Sequence, residues 1–406
     1  VVHVRATAVG RNLQLRLRQE RFFADQAAAG GHTQQLWPVP IVLKHGNANV
    51  LGEERVLLDS VEKEVTLNNA QWFFPNGGAS GFYRFTMDDT ALAALAMNLQ
   101  KVLAAHERLS LVDNQWALLR AGHVRLEQYL LLLAAFGSEP DRAVIAMIAD
   151  QLSWLALHVV TDETRPDFEK LVEQFYRPQW ERLGWDPKPE ESADERMTRA
   201  AVIGALGGIA RALDVRQAAR QRFEAYAQDR RSLDPNLASV VVGLAARDGD
   251  AALYDRFLEL KRAASRDPEE EQRFLLSLAA FEDPQLIQRT LDMGLSDAVR
   301  SQDRTFLLNG LLGRRAARET AWRFVRSHWP EIVRLLDPML LQGLLRGLGQ
   351  LTFEPLASEV CDFIAAHVSE ETRETVAQVT EQLRTDSAAV TRLQKEIGPA
   401  LRQRLH

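Results

Sequence analysis

Nine histidines are scattered along 406 residues, at positions 3, 32, 45, 106, 123, 158, 328, 367 and 406. Two histidines at i and i+4 on one helix face can hold Zn²⁺, with a Glu between them as general base. No two of these stand four apart. The nearest approach is His106-Glu107, where Ser110 occupies the position a second ligand would need, so His106 reads as a helix-surface or helix-end residue. Cys361 is the single cysteine and has no histidine at a useful spacing; a buried structural thiol is expected. Gly204-x-x-Gly207-Gly208 follows no strand and is not a nucleotide-binding loop; its glycines read as a close helix–helix contact. Asp162-Glu163 and Glu269-Glu270-Glu271 read as solvated helix starts, which the dipole favours. The eight tryptophans read as packing of amphipathic helices. No Ser/His/Asp set rises above chance.

Composition narrows the classes further. The net charge is −6, so there is no basic footprint for nucleic acid. The 42 Arg against 7 Lys read as coding bias. One cysteine allows no internal disulfide, which fits a cytoplasmic protein. The longest apolar runs, residues 200–210 and 129–136, are far shorter than the roughly 20 residues of a membrane span. The chain opens Val1-Val2-His3-Val4 as if already inside a strand, without a secretory signal, and this start reads as a cut within a longer protein.

The elements that would position any site change character near residue 88. Val2, Val4, Ala6 and Ala8, then Leu13, Leu15 and Leu17, alternate with mostly polar residues about Gly10-Arg11-Asn12, the pattern of a β-hairpin with one wet face. A small, polar loop is expected over residues 27–35. Residues 36–43 carry Pro38 and Pro40, which predicts an edge strand or an extended lead-in. Short strands follow at 55–58, 64–67 and 71–74. Asn76-Gly77-Gly78 is turn chemistry, and 81–87 is aromatic and β-favouring. Asp88 and Asp89 then offer carboxylates to a helix start. Leu92, Leu95, Leu99, Val102 and Leu103 share one face of that helix, and Ser110 with Asp113 resembles a capping box. Beyond this point the apolar period is helical to the end. Breaks fall at 137–140, Arg165-Pro166, 184–189, Asp234-Pro235, 248–250, Asp267-Pro268, Asp283-Pro284 and Asp337-Pro338. In the Asp-Pro pairs Asp can cap and Pro suits the first helical position. The expected fold is mainly α with an N-terminal all-β domain: a small β-sandwich over residues 1–88, then an α-solenoid or HEAT-like helical array over 89–406.

Several segments resemble one family. Gly81-Phe82-Tyr83-Arg84-Phe85 is followed by a helix and by Arg108-Leu109-Ser110-x-x-Asp113, which runs on to Leu118-x-x-x-Gly122. This succession resembles the C-terminal part of the M1 zinc aminopeptidases, the gluzincin group that includes aminopeptidase N. Gln19-Glu20-Arg21-Phe22 and Trp37-Pro38-Val39-Pro40 are similar to the family's β-domain. Leu183-Gly184-Trp185, Leu233-Asp234-Pro235-Asn236-Leu237, residues 280–295, Val299-Arg300-Ser301-Gln302-Asp303 and Ala321-Trp322-Arg323-Phe324-Val325 with Trp329 are similar to its helical domain. The order of these segments is the specific signal, and it covers nearly the whole chain.

The resemblance implies a bowl-shaped helical domain that closes over a zinc site and limits which peptides enter. It implies a parent enzyme that removes N-terminal amino acids, with this chain as its non-catalytic C-terminal half. Zinc would belong to the missing catalytic domain: neither His-Glu-x-x-His nor the Gly-x-Met-Glu-Asn segment that holds the substrate amine is present. The partners would be a peptide substrate and the enzyme's own catalytic domain. A peptide held by its amine at the zinc presents a carboxylate at its far end, which Arg can bind bidentately. Arg314 and Arg315, after Gly313 in a short helix break, are candidates for that contact, and Arg300 beside Gln302 and Asp303 is a third. Tyr83 and Arg84 are expected to hold the β-domain to its neighbours. The alternative is a standalone helical-repeat interaction module without enzymatic activity.

Overall fold

A computed structural model describes residues 1–24, 35–367 and 369–405. Apart from Gln35, the loop expected over 27–35 lies outside the described residues. The fold has two compact units. The first comprises Val1–Leu152, Gln174–Gln179 and Arg392–His406, and the second Ser153–Glu173 and Trp180–Thr391.

Among the described residues the first unit begins with seven strands: β1 Val2–Val9, β2 Asn12–Gln19, β3 Val39–Gly46, β4 Leu51–Leu58, β5 Glu62–Leu67, β6 Trp72–Phe74 and β7 Phe85–Met87. They form two sheets, ordered β5-β2-β1-β7 and β4-β3-β6. β1 and β2 are the antiparallel hairpin read from the alternation, in the register Val2↔Gln19 to Val9↔Asn12. Gly10 turns it at φ +63°, a left-handed backbone that glycine adopts freely. Val2, Val4, Leu15 and Leu17 face inward, opposite Ile41, Leu43 and Trp72, all nearly inaccessible. Phe74 of one sheet meets Phe85 of the other edge-to-face, with centroids 5.5 Å apart.

β3 lies between β4 and β6, but β6 pairs only with Lys44, His45 and Gly46. At Pro40 the strand pairs, among the described residues, with β4 alone, a local edge where a proline breaks no ladder. Gln19 fixes the chain leading into β3. Its buried amide donates to the carbonyls of Trp37, Leu58 and Ser60 and accepts from Trp37 N–H, all at 2.9–3.1 Å.

Three local expectations differ. The strand expected over 81–87 is regular only at Phe85–Met87. Tyr83 folds back instead, so that its ring lies 2.1 Å from where a Gly81 Cβ would be and its Oη donates to the Pro75 carbonyl at 2.6 Å. The helix capped by Asp88, whose Oδ1 accepts from Ala91 N–H at 2.9 Å, ends at Ala96 and resumes at Leu99–Val102. The next helix starts at Ala105, not after Ser110. Its N-terminal carboxylate is Glu107, which accepts from Ala104 N–H at 2.7 Å; Glu at the third helical position reaches back where the shorter Asp113 does not.

The second unit is a succession of helices whose starts were legible. Asp267, Asp283 and Asp337 each accept an N–H of the first turn behind a proline. Its core is partly a run of aromatic rings: Phe223 stacks on Phe257 at 5.0 Å, and Phe257 meets Phe274 and Phe281 edge-on at 5.7 and 5.4 Å. Trp322 and Trp329 are buried, each edge-on to Phe363 at 5.3 Å. Among the described residues no helix is long and apolar enough to cross a membrane.

Candidate functional site

In the second unit several helix ends converge on a cavity of about 630 Å³, within the size range of small-ligand sites. Its wall comes from the start of helix Arg165–Leu183, the π-turn Ala205–Ile209, the end of helix Ala238–Arg247, the turn at 280–282 and the break before helix Arg318–Ser327. Arg165, Arg211, Arg247, Arg314 and Arg315 line it, with Asp162 and Glu282 as the carboxylates.

Each carboxylate is shared by two guanidiniums. Asp162 lies 2.9 Å from Arg315 and 3.5 Å from Arg165. Glu282 lies 3.0 Å from Arg247 and 3.7 Å from Arg211. Arg211 is held with φ +55°, a left-handed conformation that costs a non-glycine residue about 1–2 kcal/mol. Arg247 also donates to the Gly208 carbonyl. Gly207 beside it permits close helix packing, since a Cβ there would lie 2.6 Å from Leu244 Cδ1.

The fifth arginine stands apart. Arg314 makes no side-chain hydrogen bond or ion pair among the described residues, and its side chain is open to solvent in the cavity. The surrounding protein nevertheless weakens its hydration. Burial, followed by the like charge of Arg247, pushes its pKa down to about 10 against the smaller pull of Glu282. It remains a cation at neutral pH, and an anion in the cavity would relieve its cost.

The three sequence candidates therefore separate. Arg314 and Arg315 line the same cavity, but Arg315 is engaged, donating to the Val160 carbonyl at 2.6 Å as well as to Asp162. Arg300 does not line it; it is an exposed arginine 2.7 Å from Glu271. Arg165, Arg211 and Arg247 were not singled out from the sequence. Arg165 and Arg247 adjoin break signals (Arg165-Pro166 and Asp248-Gly249), where arginine at a helix break is the signal available, whereas Arg211 follows the glycine run that reads as a helix–helix contact.

Arg84, Arg108 and Asp113, from the segments that carry the family resemblance, form structural joints. Arg108 forms a buried bidentate pair with Glu139 at 2.8 and 2.6 Å. Asp113 lies 2.5 Å from Arg84. Glu107 is buried, accepting from Lys44 at 2.7 Å and from Gly78 N–H at 2.8 Å. Burial alone would raise its pKa, yet Lys44 and the N–H groups of Gly78 and Ala104 draw it below the ordinary value. His106, beside it, is exposed at the helix start. Among the described residues no three His, Cys, Asp or Glu side chains converge where they could hold a metal ion.

The first unit carries a second concavity of about 890 Å³, whose lining includes the rings of Phe22, Trp37, Pro38, Pro40, Phe82 and Tyr83 together with charged Glu20, Arg21, Arg84 and Asp113. Phe82 is fully exposed on it. A bare aromatic ring on an apolar groove marks a surface suited to a partner.

A family model described as the ERAP1-like C-terminal domain matches residues 72–385. Aminopeptidase M1-A of Oryza sativa subsp. japonica is 26% identical over 412 residues, covering 97% of this chain and 46% of its own length. Aminopeptidase M1 of Arabidopsis thaliana is 27% identical, covering 94% and 45%. Aminopeptidase 2, mitochondrial, of Saccharomyces cerevisiae is 24% identical, covering 97% and 41%. The chain thus spans less than half the length of these curated relatives.

Proposed function

The chain belongs to the ERAP1-like C-terminal domain family, and from that premise we propose that it is the non-catalytic C-terminal half of an M1 zinc metalloaminopeptidase, an enzyme that removes N-terminal amino acids from peptides. In this reading the β-sandwich of residues 1–88 and the helical array of 89–406 help enclose an active site whose zinc is held by a separate catalytic domain. The cavity around Arg314 takes the distal carboxylate of the peptide, and the groove bearing Phe82 meets the catalytic domain. A cytoplasmic setting accords with the single cysteine.

The observation that carries the peptide-binding part is the partnerless Arg314 guanidinium in a cavity whose other four arginines share two carboxylates. Such a cation is poised for a carboxylate, bidentate by preference. Arg315 supports the wall, and Arg300 is left outside this role.

The test is hydrolysis of aminoacyl reporter substrates by the 406-residue chain, alone and mixed with the proposed catalytic half. No turnover alone, with turnover restored or altered on mixing, supports the reading. Chelator-sensitive turnover by the chain alone overturns it. No effect in either arm favours the standalone helical-repeat interaction module, for which the exposed Phe82 groove is the supporting observation.

A further inference from the structure

The cavity around Arg314 holds more positive charge than one carboxylate neutralises. Five guanidiniums line it against Asp162 and Glu282, an excess of three. Glu169 is not among the lining residues but is within the electrostatic reach of Arg211, Arg165, Arg216 and Arg247, though burial holds its pKa up. Counting Glu169 as fully ionised still leaves an excess of two. Arg216, the neighbouring cation, has its own carboxylate in Asp248. This local excess sits in a chain whose net charge is −6, so it is a property of the cavity and not of a generally basic surface.

A ligand bearing a single carboxylate would satisfy Arg314 and leave the second excess charge uncompensated beside it. From this balance we propose that the cavity selects peptides whose C-terminal residue is itself acidic, so that two carboxylates, one from the main chain and one from the side chain, enter together. The inference rests on the reading of this cavity as the distal peptide site. Arg314 takes one carboxylate. The second lies toward Arg211 and Arg247, which share only Glu282 between them and keep donors to spare, since a guanidinium carries five. The open cavity lets both ligand carboxylates enter without first breaking the Asp162 or Glu282 pairs.

The experiment is a binding titration of the 406-residue chain with four short peptides of common sequence. They end in Ala or Glu, each with a free or an amidated C-terminus. The Glu-ended free acid is expected to bind about tenfold tighter than the Ala-ended free acid, an order of magnitude set by one further charge-assisted contact. The Glu-ended amide, with one carboxylate, should match the Ala-ended free acid, and the Ala-ended amide should bind weakest. Equal affinity of the two free acids, both above the Ala-ended amide, would overturn the selection for acidic ends and leave the distal-carboxylate reading standing. Four equal affinities would overturn that reading itself. In Arg314→Gln the preference for the Glu-ended acid must shrink; if it persists undiminished, the selection does not arise in this cavity.

Discussion

Asn114 holds Phe85 on both sides of one residue: its Oδ1 accepts from Phe85 N–H at 2.9 Å and its Nδ2 donates to Phe85 C=O at 2.8 Å. β7 is the edge of its sheet, and this single amide does there what a neighbouring strand would do. A helical residue thereby completes the β-sandwich. Asn114→Ala would leave a buried N–H and C=O without partners, which is expected to lower stability by about 2–4 kcal/mol. Urea unfolding measures it, and a loss within experimental error would show that water replaces the amide.

The buried Arg108–Glu139 pair is expected to behave asymmetrically. Arg108→Met strands the Glu139 carboxylate, which is fully inaccessible, and should destabilise by about 3–5 kcal/mol. Arg108→Met combined with Glu139→Leu should recover most of that loss. Chemical denaturation of the two variants decides, and a double variant no better than the single one would mean that the pair's other hydrogen bonds dominate.

Acid stability should depend on Glu107. Its folded pKa is drawn below its ordinary value of 4.5 by Lys44, Gly78 N–H and Ala104 N–H. Its contribution is therefore present above that ordinary value and is lost as the pH falls through the lower folded one. Glu107→Gln should lower stability at pH 7 and flatten the decline below pH ~4.5. Denaturant midpoints across the acid range check this; an unchanged acid slope would remove Glu107 from the account.

Neighbouring arginines should give opposite phenotypes. Arg314→Gln is expected to leave stability unchanged or raised, because it removes a partly desolvated cation that has no partner among the described residues, while weakening peptides with a free C-terminus. Arg315→Gln removes hydrogen bonds to Val160 C=O and Asp162 and should lower stability by about 1–2 kcal/mol. Thermal unfolding paired with peptide binding separates the two, and a stability loss in Arg314→Gln would contradict its partnerless state.

Phe82→Ala should leave the stability of this chain unchanged, because its ring is fully exposed. It should weaken association with the proposed catalytic half by about 1–2 kcal/mol or more, the scale of an aromatic anchor. Binding of the two halves by calorimetry is the readout. Unaltered affinity would move the docking face away from the Phe82 groove.

Much of the architecture was legible because its causes are local. The β1–β2 hairpin follows from period-two alternation about Gly10. The helix starts at Asp267, Asp283 and Asp337 follow from a capping carboxylate before a proline that needs no N–H partner. Ser110 and Asp113 were misread as a helix start because a cap is recognised by side-chain reach, and Glu107 reaches further. The strand expected over 81–87 shortened because Tyr83 found a partner in the Pro75 carbonyl. The cavity was half legible. Sequence placed Arg314 and Arg315 in a helix break but could not distinguish them, since what separates them is Asp162, more than 150 residues away, which pairs with one and not the other. Arg165, Arg211 and Arg247 join them through packing between helices distant in sequence, and the excess of charge exists only once those helix ends meet. Spacing along a chain determines which residues share a helix face or a turn; only the tertiary structure decides which charges are neutralised, because that depends on distances in space between residues the sequence keeps far apart.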